Sequence, residues 1–98
     1  MVRTAFTRAI SQADEILAKT PEYYSALDAK GLALCGLAIL DGGRKTVERD
    51  AAIETFRKAR KIAPHSGIVK SILRLFDELA KCDPEGLLEG VREAVEGK

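Results

Sequence analysis

Residues 52–64 read AIETFRKARKIAP. Ala52, Phe56 and Ala59 are separated by gaps of four and three, so they lie on one face of a helix, and Pro64 follows five residues later. A helix stops before such a proline because the ring drives the preceding residue out of the α region. The same gaps recur at Ala9, Ala13, Ile16 and Pro21, 43 residues earlier. A unit repeated at this period marks a helical array in which each element buries its apolar stripe by stacking on a neighbour. An array of that kind points to a surface that binds another protein rather than to catalysis.

Working outward, five helices are expected. The first runs from about Arg3 to Lys19, with a stripe of Ala5, Ala9, Ala13 and Ile16 flanked by Phe6, Ile10 and Leu17. The second runs from about Tyr24 to Leu40 and is apolar on almost every side, so neighbours should cover more than one of its faces. Asp41, Gly42 and Gly43 end it, because glycine accepts the left-handed conformation of a C-terminal cap. The third starts at Thr46 or Asp50, both good N-caps, and ends near Ile62. Ser66 is read as the cap of the fourth, which extends to about Lys81 on a stripe of Ile68, Val69, Ile72, Leu73, Leu75, Phe76 and Leu79. Asp83 is read as the cap of the last, with Pro84 at its first position and Leu87, Leu88, Val91, Ala94 and Val95 facing inward. No window alternates with period two, so no strand is expected.

Ninety-eight residues make a single domain, 1–98, and a chain of this length buries roughly 60–65% of its unfolded surface. A 46% apolar, 32% charged composition is globular rather than disordered. The longest uncharged run, Gly31 to Leu40, is too short to span a bilayer, and the N-terminus lacks the apolar core of a signal peptide. A cytoplasmic protein with no membrane contact is therefore expected. Cys35 and Cys82 stand 47 positions apart without metal-ligand spacing, so both read as reduced thiols.

Helical hairpins of this pattern resemble the tetratricopeptide repeat. The segment from Ala52 to Pro64 is similar to the second helix of that repeat, and Leu27, Gly31 and Leu34 match the large, small and large positions of its first helix. The likeness covers Ala9 to about Leu79. It departs at the spacing of Gly31 and Ala52, which is 21 where the family uses twelve, and at Arg74, where a small residue belongs. The resemblance implies an all-α fold of antiparallel hairpins, a five-helix fragment of a right-handed α-solenoid. It would hold about one and a half to two repeats plus a C-terminal capping helix.

The resemblance also implies a concave groove that takes a protein or peptide partner. Its lining would include Asp28, Leu32 and Cys35 from the second helix and Ser71, Leu75 and Glu78 from the fourth. Some members of the family clamp a C-terminal carboxylate there with Lys, Asn and Arg. Asp28, Leu32, Ile68 and Ile72 fall at those positions here, so that function is not expected. The bland alternative is that these apolar positions are core, covered by the last helix.

Other candidate chemistry is weaker. GGRKT at 42–46 invites comparison with a phosphate-binding loop, but Asp41 stands where the second glycine of that loop should be, and a helix-cap turn accounts for it. His65 is the lone histidine and follows Pro64 at a helix junction, without an acid or nucleophile partner. Asp14/Glu15 and Asp77/Glu78 are adjacent in sequence and diverge around a helix as solvated acids. No catalytic, cofactor or metal constellation is therefore assigned, and no enzyme is expected.

Residues 44–74 carry nine bases and three acids, while 75–98 carry three bases and seven acids. The basic middle is the basis of the alternative function, binding of nucleic acid or an acidic partner. The aromatics nearby, Phe56 and Phe76, fall on buried stripes rather than among the cations, so nucleic acid is the weaker expectation. Arg57, Lys58, Arg60 and Lys61 are read as complementing the negative end of the helix dipole. Finally, Phe6 and Ile10 on the first helix are expected to form an uncovered apolar surface, used for a homodimer or an external protein partner.

Overall fold

The structure, a computed structural model, describes residues 2–40, 47–83, 86 and 88–97. The described residues form five helices and no strand, and 85% of them are helical. The helices are α1 (Val2–Lys19), α2 (Tyr24–Leu40), α3 (Val47–Ile62), α4 (Ser66–Ala80) and α5 (Glu89–Glu96). None is long and apolar enough to cross a membrane, among the described residues.

α2 is the centre of the arrangement. It packs against α1, α3 and α4, which is the physical reason for its all-round apolar sequence. Two of its glycines admit aromatic rings. A methyl group added at Gly31 would lie 2.6 Å from the ring of Phe56, and one added at Gly36 would lie 2.7 Å from Cε1 of Phe6. Both distances are shorter than any Cβ contact tolerates, so each ring is seated where a side chain would otherwise stand. Phe56, Ala52 and Ala59 are completely buried, so the stripe read from the sequence is the packed face of α3.

α5 closes the core from the other side. Leu88, Val91, Ala94 and Val95 are buried with Cys35, Phe56 and Phe76, and α5 packs on both α3 and α4. It begins at Glu89 with Leu88 at the cap position, so Asp83, read as the cap from the sequence, is not its cap. Asp83 still accepts a hydrogen bond, from the backbone N–H of Leu88 at 2.8 Å. Ser66 is the first residue of α4 and not its cap; His65 holds the cap position in an extended conformation and makes no side-chain capping bond. The readings of Asp41, Gly42, Gly43, Thr46, Pro84 and Leu87 lie outside the described residues.

The pairing of helices also differs in one place from a simple run of hairpins. α1 packs on α2 and α2 on α3, but α3 and α4 share no packed face among the described residues, although only three residues join them. α4 instead crosses back onto α2 and α5. Arg74, which lies 43 residues after Gly31, is exposed.

Candidate functional site

The crossing of α4 over α2 leaves a groove of about 390 Å³ between them. α2 lines it with Tyr24, Ser25, Asp28, Ala29 and Leu32, and α4 with Gly67, Ile68, Ser71, Ile72 and Leu75. The two sets have the same spacing, and each α4 residue lies 43 positions after its α2 counterpart. The period first read from the α1 and α3 stripes therefore also generates the two walls of the groove. Positions i, i+1, i+4, i+5 and i+8 form one strip along a helix, so a repeated helix presents a repeated wall.

Four of the six groove residues named from the sequence meet in this place: Asp28, Leu32, Ser71 and Leu75. Leu75 is 52% exposed, and Tyr24 stands on the opposite lip. The last helix does not fill the groove, since none of its residues lines it. Ser71 directs its hydroxyl to the backbone oxygen of Gly67 at 3.1 Å. Cys35 and Glu78 are not part of the groove lining. Cys35 is completely buried in the central cluster, where burial first, and the Asp83 carboxylate second, push its thiol up to about 12. Glu78 is exposed and pairs with Lys81 at 3.0 Å.

Asp28 has a second role that the sequence reading missed. It is 2% exposed, and Nη2 of Arg60 donates to both of its carboxylate oxygens at 2.5 Å. Burial raises the Asp28 carboxyl above its usual range, and the attraction of Arg60 offsets only part of that rise. In the sequence Arg60 reads with Arg57, Lys58 and Lys61 as a complement to the helix dipole, but in the fold it is only 5% exposed. The signal was present: Arg60 lies four residues after Phe56, on the same buried stripe.

Phe6 and Ile10 turn toward α2 rather than away from it. Phe6 is half-buried on Gly36, and Ile10 packs against the central cluster. The large apolar side chain that α1 leaves open is Ile16, at 44% exposure. Among the described residues, no group of three His, Cys, Asp or Glu side chains stands close enough to hold a metal ion.

Comparison with known proteins adds no relative: no family model, no curated protein and no solved structure matches this chain.

Proposed function

We propose that this chain is a non-enzymatic protein-interaction module, a short tetratricopeptide-like scaffold or adaptor of right-handed solenoid type. Its docking surface is the groove between α2 and α4. The observation that carries the reading is the shared register of the two walls: each lining position of α4 lies 43 residues after one of α2, and Leu32 and Leu75 are the pair of identical residues. Repetitive walls suit an extended or helical peptide, which presents side chains at regular intervals. Leu32, Ile68, Ile72 and Leu75 supply apolar contact, and Tyr24, Ser25 and Ser71 a polar edge. The setting is cytoplasmic, in line with two free thiols.

A peptide-display selection against the intact chain tests this. Peptides recovered on the wild type should lose binding when Gly67→Trp fills the groove; a Cβ added at Gly67 meets nothing within 4 Å, and a circular dichroism spectrum and melting point matching the wild type check that the fold is kept. Peptides that bind both forms equally would place the docking surface elsewhere. A homodimer through α1 is the second reading and has the lesser support, since Phe6 and Ile10 face α2 and Ile16 is the apolar side chain left to it. Light scattering behind size exclusion should then show a dimer that Ile16→Glu dissociates. A monomer at high concentration would leave only the external partner.

A further inference from the structure

The groove between α2 and α4 offers a partner no free charge. Asp28 is the only acidic or basic residue in its lining, and that carboxylate is 2% exposed and held by Arg60. A partner anchored by ion pairs therefore finds nothing to pair with there. Apolar contact remains, as at the centre of most interfaces. α4 supplies most of it. The helix is rich in large apolar residues, but Phe76 is the only one buried, because α4 packs on α2 and α5 alone among the described residues. Ile68 and Ile72 are half-buried, and Leu75 projects with 52% of its surface exposed.

The same face thus carries a recess of about 390 Å³ and, on its lip, an apolar knob. A patch that holds both knob and hole is self-complementary, which is what a two-fold contact requires, since the same patch serves on both subunits. The surface area points the same way. The chain exposes 6206 Å², whereas a compact monomer of 10.6 kDa exposes about 5,500 Å². The excess, about 700 Å², is close to the roughly 800 Å² that each partner gives up in a stable interface of standard size.

Taking the groove as the docking surface, we propose that its occupant is a second copy of this chain. The two copies are related by a two-fold axis beside α4, and each places Leu75 in the other's groove, against Tyr24, Leu32, Ile68 and Ile72. The exchange is reciprocal, so the assembly closes at two. Ile16 of α1 is no part of the groove lining and takes no part in this contact.

Light scattering behind size exclusion, on the intact chain and over a concentration series reaching the high micromolar range, tests this. The mass should rise from that of one chain to that of two. Leu75→Glu should weaken the dimer by about thirtyfold or more, as at the centre of an interface. Gly67→Trp, which fills the recess, should do the same. Leu75→Met nearly conserves volume and should keep the dimer. Ile16→Glu should leave it unchanged. Circular dichroism of the Leu75 variants should match the wild type, since this side chain is half exposed. A monomer at every concentration would overturn the second copy as occupant, and so would a dimer indifferent to Leu75→Glu; one that Ile16→Glu dissociates would move the contact to α1. The docking surface itself is judged separately. A monomeric chain whose selected peptides lose binding in Gly67→Trp keeps the groove and loses only the second copy, whereas peptides that ignore Gly67→Trp remove the groove as well.

Discussion

Replacing Gly31 by alanine tests the seat of the Phe56 ring against α2. The added Cβ would meet three ring atoms of Phe56 at 2.6, 2.7 and 2.8 Å. Phe56 is completely enclosed, between α2, α5 and its own flanking alanines, so the ring has no free direction in which to retreat. Overpacking of this kind costs about 1–3 kcal/mol. Alanine is the better helix former by about 1 kcal/mol, which offsets part of that cost. With no room for the ring to retreat, the clash falls in the upper part of that range, about 2–3 kcal/mol, so the net expectation is a loss of about 1–2 kcal/mol, or roughly 4–16 °C in Tm for a domain of this size. Gly36→Ala is the internal control. It lies in the same helix and has the same propensity gain, but the ring it meets belongs to Phe6, which is half-buried and can swing toward solvent. That variant should be within about 0.5 kcal/mol of the wild type, on either side, as the propensity gain cancels a small displacement. Urea unfolding followed at 222 nm, with the slope compared between variants, measures both. If Gly31→Ala were as stable as the wild type, or if the two variants lost equally, the enclosed seat of Phe56 would not be what holds α2 against α3.

Truncation at the same contact should be costlier: Phe56→Ala is expected to lose about 3–5 kcal/mol in the same assay, as for other large side chains removed from a core. Arg60→Met should destabilise at neutral pH by leaving Asp28 buried and unpaired, and the double variant Asp28→Leu, Arg60→Met should regain most of the loss, because an apolar pair needs no desolvated charge. Asp28 also sets a pH dependence. Its folded pKa is raised, so its stabilising contribution is full below the ordinary carboxylate range and declines as pH rises through the raised value. The stability of the wild type relative to Asp28→Asn should therefore fall from about pH 4 upward, and a rise across that window would reverse the assignment. Of the two thiols, Cys82 is exposed and Cys35 is buried with its pKa at about 12, so a maleimide should modify Cys82 alone in the native protein and both in urea. Mass spectrometry reads the difference directly.

Much of the architecture is a consequence of local pattern. The four-and-three spacing of Ala52, Phe56 and Ala59 and the prolines at 21 and 64 determine which residues are helical and which faces turn inward. The helical state of α2 follows from length instead: its apolar residues continue on both sides of Asp28 and Lys30 for 17 positions, longer than a buried strand runs. Even the groove is latent in the sequence, because a 43-residue period acting on Tyr24 to Leu32 places the same strip on α4. Helix formation and helix faces depend on residues within one or two turns of each other, and such information is legible in one dimension.

What the tertiary structure alone decided is which faces meet. Local spacing placed Arg60 on the stripe of Phe56, but only the approach of α2 brings Asp28 within 2.5 Å and turns a surface cation into a buried one. Local spacing made Phe6 look uncovered, and only the glycine notch at position 36 gives it a seat. The same holds for α4, which bypasses the helix it follows and lands on α2 and α5. These outcomes depend on residues tens of positions apart arriving together, and their energies come from the fit between surfaces, which no single stretch of sequence contains.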